Sequence, residues 1–533
     1  MTCRYSLLNE PLIRTRLAAD GSPARYTLPG LFVALAGDTI RDFPALRPHQ
    51  RHPWHAFLVQ LAAMALHKAG QSQPLASEAE WKAALLALTP DYPDGEAWCL
   101  VAPHDKPAFM QAPVLEGKIE DWVSDKPTPD SLDILVTSKN HDLKQERIRL
   151  ALPDDWIFAL LSLQTAAPYP GPKNYGVARM NKGSSSRPGL GVDPASGPSR
   201  RWSRDVRIAL SERASLVNDF GYVEHEGVGL LWLAPWDGKS AYSYAALDPF
   251  FIEICRRIRL VANNDQIMAI RTTSTGPRIA KEESDSRRGN TGDLWTPVEV
   301  AAGKSFGASK AGFDYTRMVK LLFGSNYKKP PAQIVSAEDD TEGLTVIARA
   351  IAGGQSTTDG YHERRVPISR TVRKLLIRQD TDRLATLAGE RVQAIASINK
   401  TLWGALVTLF DNDKKRDKND KIPDSIKNKA NDFAKPFEQA EDARFFDELN
   451  AEIESDDPDK VRLGWHLSMA ERAETVLRIA FDAGPRSGEQ RYRARAAALS
   501  RFHGGLRSGN VLPSLAQHYR KQQASKENNH DHA

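Results

Sequence analysis

Apolar residues recur at intervals of three and four over several stretches of the chain, and this spacing predicts helices. After Pro53, the run WHAFLVQLAAMALHKAG places Trp54, Phe57 and Leu61 on one helical face, and Gly70 follows where a helix would end. The same pattern predicts further helices over 76–89, 154–167, LDPFFIEICRRIRL (247–260) and FDYTRMVKLLF (313–323). Residues 1 to about 40 and VGLLWLAPW (228–236) are instead typical of short strands.

The pattern changes beyond Pro367, where no proline occurs until Pro423 and apolar residues between 392 and 410 keep a helical spacing. The segments 433–453, 459–482 and 488–503 also have helical composition. We therefore predict an α+β fold, with a large mixed amino-terminal domain at 1–367 and an α-helical bundle of about four helices at 368–520. The polar residues 521–533 predict a disordered tail.

Two segments have the composition of flexible loops. Residues 168–198 contain six glycines and six prolines, which predicts a long loop without regular structure. The stretch AIAGGQSTTDGYHERR (350–365) interrupts a helix-rich sequence with two adjacent glycines and short polar residues. A surface hairpin, a phosphate-binding loop or a probe for another molecule would each need such residues.

Length and composition restrict the class of protein. A chain of 533 residues, 41% of them hydrophobic, predicts at least two globular domains. No apolar run is long enough to cross a bilayer, and the first residues lack the continuous apolar segment of a secretory signal. We expect a cytoplasmic protein with no membrane partner.

The positive charge is concentrated in one part of the chain. The net charge is +5, but eight basic and two acidic residues between Lys173 and Arg207 already give +6. A local basic loop on a nearly neutral protein suits contact with a nucleic-acid backbone, although a solvated loop with scattered arginines would have the same composition. Lys173, Arg179 and Lys182 in this loop accompany the aromatic Tyr175, and such a loop could enter a minor groove.

Most patterns that suggest catalysis fail on their spacing. The sequence GKS occurs at 238–240 and 303–305, but Leu233 and Val298 stand where a phosphate-binding loop needs glycine. His49, His52 and His55 are spaced too widely for one tetrahedral face, so a helix start packed on its neighbours is the simpler interpretation. The alternative function is a metal-dependent nuclease that uses the scattered histidines, among them His141 beside Asp142, although the sequence offers no partner ligands. A third interpretation is a structural scaffold whose loops bind only protein.

Several motifs occur together and in a characteristic order. They are YSLLNEPLIRT, PALRPHQRHPWHAFLVQLAAMAL, DILVTSKNHDLK, PKNYGVARMNKGSSSRPG, LDPFFIEICRRIRL, NTGDLWTP and AGGQST. In this combination the chain resembles the CasA family, the large subunit of the type I-E CRISPR surveillance complex Cascade. The resemblance extends from the amino terminus to about residue 410, and the predicted bundle follows as it does in the family.

The resemblance implies a non-catalytic subunit in antiviral defence that recognises the protospacer-adjacent motif in duplex DNA. It implies that a glycine loop, a lysine and a glutamine-tipped wedge probe the minor groove and help to part the strands, so that an R-loop can form. Another loop would contact the complex near the guide-RNA handle, and the subunit would help to recruit the helicase-nuclease. Expected partners are therefore duplex DNA, guide RNA, the other Cascade subunits and that effector.

Matching motifs assign these roles to positions of this chain. The expected wedge is formed by Gly354, Gln355 and Ser356. The expected glycine loop contains Asn174, Tyr175 and Gly176, and the expected handle-side loop contains Lys139 and Asn140. For the groove lysine we choose Lys281, with Arg287 and Arg288 as alternatives. The cysteine cluster that some relatives carry is absent, so we expect no zinc, no other metal and no cofactor.

Overall fold

The computed structural model describes residues 3–530 except 115–118, 136–147, 149, 196, 264–265, 340–342, 354–357 and 413–420. Its strands are β1 (Arg4–Ser6), β2 (Ile13–Leu17), β3 (Pro23–Tyr26), β4 (Ile40–Asp42), β5 (Cys99–Val101), β6 (Val123–Lys126), β7 (Gly189–Asp193), β8 (Val228–Leu230), β9 (Leu247–Ile252), β10 (Arg257–Asn263), β11 (Gln266–Thr272), β12 (Val298–Glu299), β13 (Lys304–Ser305), β14 (Tyr327–Lys328), β15 (Thr345–Gly353) and β16 (Thr358–Pro367).

Its helices are α1 (Leu28–Ala36), α2 (Arg51–Lys68), α3 (Glu78–Ala87), α4 (Pro153–Ala166), α5 (Pro198–Phe220), α6 (Lys281–Arg287), α7 (Tyr315–Leu322), α8 (Arg370–Ile377), α9 (Thr381–Phe410), α10 (Asp424–Glu454), α11 (Pro458–Ile479), α12 (Gly488–Arg507) and α13 (Pro513–His530). Small sheets and shorter helices precede a run of long helices, so the predicted α+β fold class is confirmed. Of the helices in the described part of the chain, none combines the length and apolar character that a bilayer span requires.

The chain forms two compact units. One comprises Met1–Phe313 and Ser325–Val366, and the other comprises Asp314–Gly324 and Pro367–Ala533. The short segment with α7 thus packs with the helical unit, although the sequence places it inside the amino-terminal domain. Tyr315 stacks on Phe445 of α10, with ring centroids 5.0 Å apart, and its backbone N–H donates to Asp442.

Helix α2 lies in the core of the amino-terminal unit. Every residue from His52 to Leu66 is buried, because α2 packs against α3, α4, α5 and β9. Pro53 does not interrupt the helix, since it lies in the first turn, where a missing N–H leaves no hydrogen bond unmade. Trp54 contacts Phe158 of α4 edge to face at 5.0 Å. The predicted helices over 76–89 and 154–167 correspond to α3 and α4.

Three sequence expectations about local structure are corrected. LDPFFIEICRRIRL forms β9 and the start of β10 rather than a helix, because a fully buried strand has the same continuous apolar run as a buried helix. Residues 168–198, predicted as a loop without regular structure, contain the strand β7, and Gly189 and Gly191 are part of this strand. Helix α13 extends to His530, although a disordered tail is predicted from residue 521; its Gln, Lys, Ala and Glu residues are good helix formers.

The helical unit is held together by α9, which packs against α10, α11 and α12. Leu402, Leu406 and Leu409 of the predicted stripe are buried. Arg391 is buried as well; its Nε donates to Glu452 Oε2 at 2.8 Å, and its guanidinium lies 4.1 Å from the Trp465 ring centroid. Arg391 thus links α9 to α10 through the ion pair and to α11 through its contact with Trp465.

Removing Arg391 should destabilise the helical unit. Arg391→Ala leaves a buried carboxylate without one of its cations, and we expect the free energy of unfolding to fall by about 3–5 kcal/mol. Urea denaturation followed by the helical circular dichroism signal measures the change. Arg383→Ala, an exposed residue of the same helix, is the control. Equal stability of the two variants would contradict the assigned role of the ion pair.

Candidate nucleic-acid interface

A hairpin of β15 and β16 carries the glycine and glutamine segment that the sequence singles out. The two strands are neighbours in a three-stranded sheet and are joined through residues 354–357. On its other side β15 pairs antiparallel with β7, with Arg349 opposite Gly189. Because β7 belongs to the proline- and glycine-rich segment, both segments predicted to contact DNA are attached to one sheet.

The backbones of these two segments touch at the turn end of the hairpin, where β15 ends at Gly353. A Cβ atom placed on Gly353 would lie 2.8 Å from the carbonyl oxygen of Ser184 and 2.9 Å from that of Ser185. These distances leave no room for a side chain, so glycine at 353 allows the hairpin to lie directly against residues 184–185. The residue directly before the predicted wedge therefore contacts the segment that follows the predicted glycine loop.

The segment that leads into the predicted handle-side loop starts from the same region. Leu135, the last described residue before 136–147, packs with Ile351 of β15. Ile134 and Tyr361 of β16 pack against this pair. Described residues next to all three predicted loops thus lie around the turn end of one hairpin.

A cleft of about 260 Å³ lies between these segments. Its walls include Asp133 and Ile134, Pro168 to Pro170, and Thr358 at the start of β16. Four basic residues also line it: Lys126, Arg256, Arg257 and Arg271. The cleft is therefore bounded by parts of all three segments and has a cationic lining.

Hydrogen bonds from outside the glycine loop fix its shape. Arg256 donates to the carbonyl oxygens of Tyr175 and Pro168, the latter at 3.0 Å. The Tyr175 hydroxyl donates to the Thr275 carbonyl at 2.9 Å, and the backbone N–H of Ser274 donates to the Lys173 carbonyl at 3.1 Å. The loop is thus an ordered structure that rests on residues 256 and 274–275.

Gly176 has a structural role in this loop. A Cβ atom there would lie 1.8 Å from the carbonyl oxygen of Gly183, and that same oxygen accepts the Tyr169 N–H at 2.7 Å. Two backbone segments therefore cross at van der Waals contact. The sequence predicts Gly176 as a DNA-facing position, whereas its neighbours in the structure are backbone atoms of the loop itself.

The predicted cations of the loop separate into two groups. Lys173 and Lys182 are exposed, and both have left-handed backbone conformations, with φ of 66° and 52°. Arg179 is only 2% exposed; it donates to the Phe251 carbonyl at 2.9 Å and lies 4.0 Å from that ring centroid. The expectation that Arg179 contacts DNA is therefore corrected, because burial leaves its guanidinium no access to a ligand at the surface.

The local excess of positive charge is also smaller at the surface than the sequence suggests. Arg187, Arg201 and Arg204 are buried like Arg179. Arg187 pairs with Asp293 at 2.8 Å, and Arg204 pairs with Asp339. Half of the eight basic residues between 173 and 207 thus lie inside the protein, which sequence composition alone does not reveal.

Lys281 lies beside the glycine loop. It is the first residue of α6, which packs on residues 181–183, and its side chain is 59% exposed. Its Nζ lies 3.1 Å from Asp285, whose carboxylate raises the pKa of Lys281, and the Tyr175 hydroxyl acts in the same direction. Of the alternatives, Arg287 is held 4.1 Å from the Tyr244 ring centroid and donates to the Phe220 carbonyl. Arg288 is exposed and donates to the Ala302 carbonyl at 3.2 Å.

The remaining site residues predicted from the sequence lie outside the described residues. These are Gly354, Gln355 and Ser356 of the wedge and Lys139 and Asn140 of the handle-side loop. His141 and Asp142, the pair behind the nuclease alternative, lie there too. Within the described part of the chain, no three His, Cys, Asp or Glu side chains are grouped so that they could hold a metal ion.

The three histidines near the start of α2 position the interface. His49 pairs with Asp133 at 2.9 Å and His55 with Asp205 at 2.8 Å, while the His52 ring lies against Gly189 of β7. Burial lowers the pKa of both His52 and His55, so these rings are neutral near pH 7. Each histidine therefore contacts a different part of the amino-terminal unit.

Sequence reasoning missed the carboxylates that receive these contacts. Asp133 accepts hydrogen bonds from Arg47, His49 and the Leu135 N–H, and Arg47 also pairs with Asp130. Although burial opposes its ionisation, the hydrogen bond from His49 and the nearby charges lower the pKa of Asp133. The spacing of Asp130 and Asp133 in PDSLD was the available signal.

Solved structures share this fold over nearly the whole chain. The chain matches Cse1 from Acidimicrobium ferrooxidans with a TM-score of 0.64 at 15% identity, over 96% of this chain and 98% of that one. It matches CasA from Thermus thermophilus with a TM-score of 0.63 at 14% identity, covering 94% and 99%. The chain has the CasA fold. Cse1 from Thermobifida fusca also matches, with a TM-score of 0.61 at 14% identity over 96% and 98%.

The resemblance to CasA is thus confirmed at the level of the fold. No protein-family model matches the sequence, and no curated protein matches it. The fold is therefore retained at sequence identities of 13–15%, where what persists is the placement of elements rather than most side chains. In this CasA fold, the described flanks of the three predicted loops meet at one hairpin.

The crossing at Gly176 can be tested by hydrogen exchange. In Gly176→Ala the new methyl group displaces the Gly183 carbonyl, so the Tyr169 amide should exchange about tenfold faster or more, as expected for loss of one hydrogen bond. Gly389→Ala is the control, because a Cβ there meets no atom within 4 Å. Unchanged exchange at Tyr169 would show that the crossing does not stabilise the loop.

Proposed function

We propose that this chain is the large subunit of a type I-E CRISPR surveillance complex and recognises the protospacer-adjacent motif in duplex DNA. The single observation that carries the proposal is the convergence, on a CasA fold, of the segments that flank three predicted loops. In this role the chain has no catalytic activity of its own. It works in the cytoplasm with guide RNA and the other Cascade subunits, and it helps to recruit the helicase-nuclease.

The proposed DNA-facing set differs from the one that the sequence predicts. Lys173, Asn174 and Tyr175 remain in the proposed set, and Lys182 and Lys281 supply further exposed cations. Gly176 acts by holding the loop together, and Arg179 acts inside the protein. The loop has few exposed basic side chains. This composition suits a surface that recognises groove shape and a few base edges rather than one that binds DNA tightly.

Gln355 is the proposed wedge. Its segment joins β15 and β16, and both strands are anchored, β15 by pairing with β7 and β16 by pairing with β15. An amide side chain on an anchored hairpin can enter an opened base step, where each lost stacking step costs roughly 1.4 kcal/mol. Pairing with guide RNA then replaces the lost base pairs, so the wedge needs to act over only one or two steps.

The handle-side role of Lys139 and Asn140 follows from the same resemblance. The segment that carries them starts at Leu135, against the hairpin, so contacts with the complex would be made close to the DNA-facing loops. This arrangement favours a subunit whose binding to duplex DNA depends on its contacts with the rest of the complex.

The salt dependence of binding tests the exposed lysines. Assembled complexes carrying Lys173→Gln or Lys182→Gln should show a flatter plot of log affinity against log salt, by at most about 0.9 for each phosphate that the protein no longer neutralises. Lys68→Gln, which removes a lysine paired with Glu226 elsewhere on the unit, is the control. Slopes equal to that of the wild type in both loop variants would mean that the loop does not touch phosphate.

The wedge is tested by separating duplex binding from strand opening. Gln355→Ala should slow R-loop formation on a linear target more than it weakens binding to a short duplex that contains the motif, because the side chain acts after the first encounter. Stopped-flow fluorescence of a labelled base next to the motif gives the opening rate. Gln71→Ala, an exposed glutamine elsewhere on the unit, should behave as wild type. An unchanged opening rate in Gln355→Ala would rule out the wedge.

A further inference from the structure

A second cavity in the amino-terminal unit has a strongly cationic lining. Its volume is about 460 Å³, and it lies between the start of α2, the start of α5 and the sheet that contains β7 and β15. Six arginines line it: Arg16, Arg41, Arg51, Arg201, Arg349 and Arg365. Its acidic lining residues are Asp42 and Asp193, which pair with Arg16 at 2.7 Å and with Arg365 at 3.4 Å. Glu363, which is not part of the lining, pairs with Arg349 and Arg365 at 3.0 Å each, so six arginines face three carboxylates and positive charge remains in excess.

Arg201 is the residue that most clearly lacks a partner. It is 4% exposed, and its Nε and Nη2 are buried without a hydrogen-bond acceptor among the described residues. The nearby Asp205 is occupied by His55 at 2.8 Å and by the Trp295 indole N–H at 2.9 Å. Burial lowers the pKa of Arg201. An unpaired buried guanidinium is costly, and an anion in the cavity would remove that cost.

Two further features of the cavity favour a negatively charged occupant. Trp54, which also lines it, has a buried indole N–H with no acceptor among the described residues. Helix α5 begins at the cavity wall; its first turn has no acidic residue, and its N-cap, Gly197, supplies no side-chain cap. The positive end of a 23-residue helix therefore adds to the field of the arginines.

From this geometry we infer that the cavity binds a phosphate group, carried by a free nucleotide or by the end of a nucleic-acid strand. Guanidinium groups pair with phosphate through two parallel hydrogen bonds, and a dianion matches several arginines better than a single carboxylate does. The volume exceeds that of phosphate alone and falls within the range of small-ligand sites. Arg41 and Arg51 are exposed, so they line the solvent side and can guide the anion inward.

This site lies apart from the cleft between the three loops, and it does not depend on the proposed function. It is connected to them through the sheet, because Arg349 is in β15 and Arg365 is in β16. A bound phosphate would therefore bridge α5 and both strands of the hairpin.

Calorimetric titration of the full chain tests the site. The probes are inorganic phosphate, adenosine 5′-monophosphate, a tetranucleotide with a 5′-phosphate and the same tetranucleotide with a 5′-hydroxyl, all at one ionic strength set with chloride. We expect Arg201→Met to weaken phosphate binding by about tenfold or more, as for loss of a charge-assisted hydrogen bond. Arg200→Met, the adjacent arginine that pairs with Asp38 at 2.9 Å, should bind as wild type.

The outcomes separate the two sources of phosphate. Binding of the mononucleotide but not of the phosphorylated tetranucleotide indicates a free nucleotide; preference for the 5′-phosphorylated over the 5′-hydroxyl strand indicates a strand end. Wild-type binding of none of the probes, or equal binding by wild type and Arg201→Met, overturns the inference. Should Arg201→Met fail to fold, the exposed double variant Arg41→Gln/Arg51→Gln decides the question, because unchanged phosphate affinity there also overturns it.

Discussion

The candidate interface depends on one buried carboxylate, Asp133, that accepts hydrogen bonds from both the segment before α2 and the segment after residue 133. Asp133 receives the Arg47 guanidinium at 2.8 Å, the His49 ring at 2.9 Å and the Leu135 N–H at 2.9 Å. The first two groups come from the segment that leads into α2, and the third belongs to the residue that packs on Ile351 of β15. Charge-assisted hydrogen bonds in a buried site are strong, and an unmade one is costly. Asp133 therefore fixes the relative positions of α2, the β15–β16 hairpin and the segment before the handle-side loop.

Helical spacing of apolar residues that continues over many positions predicts the fold well. The helical spacing in α2, α3, α4 and α9 reflects helices that are buried either on one face or on all sides. In α9 the apolar face is maintained because this helix packs at the centre of the bundle. Where the signal was a short apolar run, it was ambiguous. In β9 every residue is buried, so the alternation that marks a half-exposed strand is absent and the segment was predicted as a helix.

The candidate site could be predicted only in part, because residue type does not reveal burial. Lys173 and Arg179 are six residues apart in one basic loop, yet one is exposed and the other stacks on Phe251. The difference arises from contacts with β9 and Asp293, which are distant in sequence. Glycine presents the same difficulty, because the sequence does not show whether it makes a loop flexible or allows the backbone to pack closely. At Gly176 and Gly353 the missing Cβ permits close backbone packing.

The anchoring of the glycine loop limits how it can be exchanged between proteins. Its conformation depends on Arg256, on backbone groups at 274–275 and on the crossing at Gly183, all of which lie outside the residues that would face a ligand. A graft of residues 168–188 alone into a related scaffold would leave the supports at 256 and 274–275 behind. Transferring the loop in its present conformation requires moving it together with the residue before β10 and the turn after β11, as one unit.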